Sequence, residues 1–228
     1  PTDAELHLVA GIDCESSGEV SRGLDCYAKA CDSMDDYYLP HFYMGYSLMR
    51  AGDATATRSF DKALQRNPRS LRSLLYKGCT VASADIAEAA GIFKAALEIS
   101  PRYAPACEEI ASLFEKNNEL QEAVHWYNEA LKANPFYSRA ALGLGRSLSS
   151  GRNPEDARRA FETAADLAPN WAEAHYQAAR WFFEEHDLKE SAKYCLEAVE
   201  LDPAHSAAKE LMQRLITLLD DQAAVPAS

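Results

Sequence analysis

Apolar side chains between Ala104 and Tyr137 recur at helical spacing. Ile110, Ala111 and Phe114 share one face of a first segment. Leu120, Ala123, Val124, Tyr127, Ala130 and Leu131 form the i, i+3, i+4, i+7 stripe of a second. Asn117 and Asn118 separate the two, and Pro135, which has no N–H and clashes with the preceding turn, ends the second. Each helix carries more apolar surface than its one partner can cover, so the pair requires neighbours. The chain supplies them. Prolines fall at Pro68, Pro101, Pro135, Pro169 and Pro203, at spacings of 33, 34, 34 and 34. Five residues before each stands an alanine (Ala63, Ala96, Ala130, Ala164, Ala198), and three before that Phe60, Phe93, Tyr127, Phe161 and Cys195. Small residues align on the first helices at Gly45, Gly78, Ala111, Gly145 and Ala179. A period of this length predicts stacked helix pairs.

Six units follow: Ala4–Tyr37, Tyr38–Ser70, Leu71–Tyr103, Ala104–Tyr137, Ser138–Trp171 and Ala172–His205. The second and third are one residue short, which places the deletions in the turns near Gly52 and Asp85. The first is degenerate, with Asp35 where the proline belongs and with Gly18 and Gly23 predicting low stability. Residues Pro1–Asp3 are expected to fray. A helix over Ser206–Asp220, with Leu211, Leu215, Leu218 and Leu219 on one side, is expected to cap the last unit. The array thus occupies residues 1–220, and 221–228 are expected to form a disordered tail or linker. Trp181, Phe182 and Phe183 are consecutive and cannot share one helix face, so at least one is expected between units or at a groove.

The combination of small residue, aromatic, alanine and proline at fixed offsets resembles the tetratricopeptide-repeat (TPR) family over nearly the whole chain. That resemblance implies an all-α, right-handed α-solenoid of six units with a C-terminal capping helix. It also implies that the first helix of each unit lines the concave side, through its second, fifth, sixth and ninth places. The candidate peptide-binding residues among those places are Tyr43, Tyr46, Tyr76, Arg139, Arg146, Tyr176 and Arg180. Tyrosine and arginine are favoured interface anchors. Each tyrosine equally suits packing between units. Arg146 and Arg180 lie one repeat apart and would form a short ladder near Arg139, suited to an acidic or phosphorylated stretch or a chain terminus. The opposing reading pairs them with Glu173, Glu184 or Glu109. Relatives that clamp chaperone tails need basic residues where Tyr76 and Gly143 stand, so a chaperone C-terminal tail is not an expected partner. The groove asparagines of peroxisomal-signal receptors are also missing from the inward places.

Composition narrows the function classes. Of 228 residues, 47% are hydrophobic, enough for a continuous core. With 23 basic against 35 acidic residues the net charge is −12, so no basic stripe awaits phosphates, and nucleic acid is not expected as a partner. No apolar run is long enough to cross a bilayer. The chain opens without Met, as a piece of a longer protein would. Cys14 and Cys195 take packing positions, Cys79 and Cys107 lie on first helices, Cys26 and Cys31 are awkwardly spaced, and there is no CxxC. Reduced thiols in an intracellular, cytoplasmic or nuclear setting are expected.

Catalytic constellations are not evident. Asp13, Asp25 and Asp32 lack a basic partner, and Gly143-Leu144-Gly145 lies within a helix rather than in a phosphate loop. His7, His41 and His175 share one place in their units and suit the edge of a core. His125 with Glu122 or Glu129 offers two metal ligands, too few for a site. No cofactor and no metal are expected. The sequence predicts a non-catalytic interaction scaffold, an adaptor or a subunit of a larger complex such as those of the anaphase-promoting and ciliary-transport assemblies. The alternative is the targeting or regulatory array of a larger enzyme, as in TPR-bearing phosphatases and glycosyltransferases.

Overall fold

The computed structural model describes residues 2–33, 36–151 and 153–224, with side chains as far as Asp220. All regular structure among them is helical. The helices are α1 (Asp3–Ser16), α2 (Val20–Ser33), α3 (Tyr38–Arg50), α4 (Ala56–Arg66), α5 (Leu71–Val81), α6 (Ile86–Ile99), α7 (Ala104–Lys116), α8 (Leu120–Ala133), α9 (Ser138–Ser150), α10 (Pro154–Leu167), α11 (Ala172–Glu184), α12 (Leu188–Leu201) and α13 (Ser206–Ala224). They form six hairpin pairs and a final helix. The chain divides into two compact units, Pro1–Glu109 and Ile110–Ser228, each with its own packing.

The small first-helix residue and the aromatic of the second are one device. A Cβ built on Gly11 would lie 2.4 Å from the Tyr27 ring, on Gly45 2.9 Å from Phe60, on Gly78 2.4 Å from Phe93, and on Gly145 3.0 Å from Phe161. Each aromatic is wholly or almost wholly buried against the bare backbone of its partner helix. The sixth pair uses smaller parts, Ala179 and Cys195, and the Cys195 thiol donates to the Ala208 carbonyl of α13 at 3.1 Å. Trp181 and Phe182 are buried, and Phe183 lies half-buried beneath the Arg214 guanidinium, 4.7 Å from the ring centre.

Turns between the helices of a pair reuse one left-handed position. Gly18 (φ 81°) and Gly52 (φ 72°) occupy it in the first two pairs, Asn118 (φ 60°) in the fourth and His186 (φ 63°) in the sixth. Glycine is at ease there, and other residues pay for their Cβ.

Some local expectations change. Asp3 is the first residue of α1, which begins with a capping box in which the Thr2 hydroxyl accepts from the Glu5 N–H and the Glu5 carboxylate accepts from the Thr2 N–H. Pro1 lies outside the described residues. Gly23 is a buried contact rather than a mere weak point: a Cβ there would meet Glu15 Cγ at 2.9 Å and the Gly11 carbonyl at 3.2 Å. Asp35, read as the replacement for the first unit's proline, lies outside the described residues. At the far end α13 continues through 221–224, so these residues are helix rather than tail; 225–228 lie outside the described residues. Its cover over the last pair comes from Ala208, Leu211 and Leu215, while Leu218 and Leu219 remain exposed. The leucine side of the helix is longer than the surface it meets.

Candidate functional site

In the first compact unit the predicted tyrosines gather on α3 and α5. Tyr46 meets Tyr76 edge-on, with ring centres 5.0 Å apart, and both contact Phe42, at 6.3 and 5.8 Å. Phe42 is buried and forms the floor, while Tyr46 and Tyr76 stay half-exposed. Two exposed cations flank the cluster: Arg50 lies 6.0 Å from the Tyr46 ring centre and Arg72 lies 5.8 Å from that of Phe42. Tyr43 is placed differently. It stacks on Tyr27 of the preceding pair at 6.0 Å and touches Phe42 edge-on at 5.3 Å, so much of its ring fills a seam between pairs. On α1, Val9 and Ile12 are exposed apolar residues at the sixth and ninth places of the first unit, an extension that the sequence reading overlooked.

In the second compact unit Arg146 and Arg180 line the same small recess. Arg146 is held by Glu115, not by any of the three acids anticipated. Nε donates to Oε1 at 2.8 Å and Nη2 to Oε2 at 3.0 Å, and the Tyr127 hydroxyl donates to Oε2 at 2.6 Å. Burial pushes the Glu115 carboxyl up, but the bonds from Arg146 and Tyr127 outweigh it and leave the group below its ordinary value. The same bonds raise the affinity of Arg146 for its proton. Gly143 makes this clasp possible, since any Cβ there would lie 2.2 Å from the Tyr127 ring. Arg180 is paired with Glu184, 3.6 Å from Nε and one helical turn away. Arg139 is exposed on α9 and Tyr176 packs on the His205 ring at 4.7 Å, so neither joins the recess.

Among the histidines, His41 and His175 are buried. His41 Nδ1 lies 3.2 Å from the Cys31 thiol, whose pKa burial pushes up to about 11. None of the six cysteines is disulfide-linked. Among the described residues no three His, Cys, Asp or Glu side chains converge on a common point, and no helix is long and apolar enough to cross a membrane. A larger crevice of about 410 Å³ runs along α8, α9 and α10, with Val124, Leu131, Leu144 and Leu148 as its apolar lining.

Two family models, both described as tetratricopeptide repeat, match residues 80–146 and 142–206. Among curated proteins, a probable UDP-N-acetylglucosamine–peptide N-acetylglucosaminyltransferase, SPINDLY, of Hordeum vulgare is 26% identical over 131 residues, which are 54% of this chain and 14% of that protein. A peroxisomal targeting signal receptor of Candida glabrata is 30% identical over 89 residues, 39% of this chain and 15% of the receptor. The matches thus span about a seventh of those relatives. Among solved structures, PilW, a type IV pilus biogenesis factor, superposes with a TM-score of 0.77 at 15% identity, covering 92% of this chain and 98% of PilW. The Cut9–Hcn1 hetero-tetramer of the APC/C gives 0.76 at 15% identity, with 93% of this chain and 42% of the matched chain covered. At such identities the likeness is one of fold.

Proposed function

We propose a function from the premise that the chain belongs to the tetratricopeptide-repeat family: it is a non-catalytic interaction module that binds a protein segment along the inner faces of its first helices, as an adaptor or a subunit of a larger complex. The observation that carries this reading is the Tyr46–Tyr76 pair over Phe42 with Arg50 and Arg72 beside it. Two partly exposed rings flanked by cations suit a segment that offers apolar and acidic side chains. The receptor and complex subunits among the similar proteins are compatible with this role. The six thiols outside any disulfide favour a reducing, intracellular setting.

Affinity capture from native cells, with mass spectrometry of what is retained, tests it. Tyr46→Gln with Tyr76→Gln is expected to lose the specific partner while the helical circular-dichroism signal persists. Retention by the double variant equal to that of the parent would refute the reading. A second reading, the targeting or regulatory array of a larger enzyme, draws on the similarity to SPINDLY, of which this chain matches only a part. A catalytic domain adjoining the array in the full-length gene product would favour it.

A further inference from the structure

We propose that Cys14 and Cys26 form a reversible dithiol–disulfide site that clips α1 to α2, with a small disulfide as co-reactant; the site is independent of what the chain binds. The two cysteines stand on facing helices of the first pair. Cys14 comes one turn after Gly11, and Cys26 one turn after Gly23, so each lies beside the stripe that its helix buries against the other. The two thiols meet across the seam, with Arg22 close to both. The sixth pair shows that the repeat sets these two places opposite one another. Phe182 and Tyr194 occupy them there and stack, with ring centres 5.4 Å apart.

In the first pair the backbones themselves touch. A Cβ on Gly23 would lie 3.2 Å from the Gly11 carbonyl oxygen, so the helices meet glycine to glycine. The other pairs carry Ala56, Ala89, Ala123, Ala157 or Ser191 at the Gly23 place. A disulfide needs its Cα atoms about 4.4–6.8 Å apart, a range that facing helices reach only where they pack closely. Both cysteines are partly exposed, so a small reagent can enter. The remaining thiols lack this arrangement. Cys31 is turned to α3, 3.2 Å from His41 Nδ1, Cys107 and Cys195 are buried, and Cys79 on α5 faces an α6 without cysteine.

The chemistry is thiol–disulfide exchange. The Cys14 thiolate attacks one sulfur of the small disulfide, its S–S bond breaks, and one thiolate leaves and takes up the proton that Cys14 gave. The Cys26 thiolate then attacks the Cys14 sulfur and expels the second small thiol. Two electrons pass from the protein to the reagent, and one disulfide replaces another. Partial burial pushes the Cys14 thiol up against the pull of Arg22, so exchange quickens as pH rises.

The test holds the full chain at pH 8 in mixtures of reduced and oxidised glutathione, then quenches with acid and an alkylating agent. Peptide mapping by mass spectrometry is expected to find a Cys14–Cys26 bridge within single chains, reversed by excess reduced glutathione. Amide exchange across α1 is expected to slow by about tenfold or more in the bridged form. Cys26→Ser should stop at a glutathione adduct on Cys14. The parent chain needs no substitution, so no folding defect can mask its result. Separate glutathione adducts on both cysteines of the parent, a bridge to another cysteine or another chain, or no reaction at either thiol overturns the proposal. So does a bridge that leaves exchange in α1 unchanged.

Discussion

Tyr27 and Tyr127 hold the same place in the first and fourth units, and each donates its hydroxyl to a glutamate twelve residues earlier, Glu15 at 3.1 Å and Glu115 at 2.6 Å. What leans on each tyrosine from the next unit differs. Beside Tyr27 stand Tyr43, stacked on its ring, and Tyr46, engaged with Tyr76; Arg50 shares a recess with Glu15 but lies over Tyr46 instead. Beside Tyr127 the equivalent places carry Gly143 and Arg146, and the arginine reaches the glutamate. One helical framework therefore supports two seams, one closed by ring contacts and one by a charged clasp. The seam with rings leaves aromatic surface over, and the seam with the clasp leaves a polar recess. The repeat fixes where side chains stand, and the residues at two places per unit decide what chemistry the inner face offers.

The largest expected effect comes from forcing the second seam to resemble the first. Gly143→Ala puts a carbon 2.2–2.3 Å from two Tyr127 ring atoms and 2.6 Å from its hydroxyl oxygen, and should destabilise the protein by about 3 kcal/mol, the upper end for overpacking, in chemical denaturation. A melt within error of the parent would mean that the ring can withdraw and the clasp is not fixed by Gly143. Next is Glu115→Gln, which leaves the partly buried Arg146 without its counter-ion; about 1.5–3 kcal/mol is expected. Glu15→Gln, which loses a bond from one neutral hydroxyl, should cost about 0.5–1.5 kcal/mol. Equal losses would erase the distinction between the seams.

Acid titration sharpens it further. The folded-state pKa of Glu115 is depressed, so its contribution is fully present above the unfolded value, roughly 4.3, and disappears as pH falls through the lower folded value. Stability measured from pH 6 down to 2 should show this loss in the parent. The loss should shrink in Arg146→Met, where the main counterweight to burial is gone. The smallest effect concerns the turns. Gly18 and Asn118 occupy equivalent left-handed positions in these same two units, so Asn118→Gly should gain a few tenths of a kcal/mol and Gly18→Asn lose as much. His186→Gly should gain somewhat more, about 0.5 kcal/mol, as the left-handed strain relieved at φ 63° outweighs the entropy glycine adds to the unfolded chain.

The helix pairs were legible because the packing device is local and repeated: Gly78 against Phe93 or Gly145 against Phe161 is written five times in the chain at nearly one spacing. Gly23 and Gly143 were harder, since each relieves a contact with another helix that periodicity does not name. The charged clasp left a trace that went unread. Tyrosine rather than phenylalanine or cysteine stands at the aromatic place only in the first and fourth units, and only those two carry glutamate at the twelfth place. Comparing the units with one another would have paired Tyr127 with Glu115 and so found a partner for Arg146 other than Glu173, Glu184 or Glu109. The indole N–H of Trp181, which has no acceptor among the described residues, left no such trace, because it depends on which edge of the ring meets Phe161 and Phe182 after packing. The extent of the cap was misjudged for a related reason: Leu218 and Leu219 continue the apolar side of α13 past the last surface available to cover them.

The substitution of Cys195 for an aromatic in the last pair has a kinetic consequence. Its thiol is fully buried, bonded to the Ala208 carbonyl, and pushed by burial up to about 11. It is therefore inert to thiol reagents until α13 lifts away. When reclosing is fast, the rate at which Cys195 is labelled equals the intrinsic rate of an exposed thiol multiplied by the fraction of molecules whose final helix is open at any instant. Mass spectrometry that follows this one cysteine over time would thus read the opening equilibrium of the chain's end directly, and any ligand that clamps the last pair would register as a slower clock.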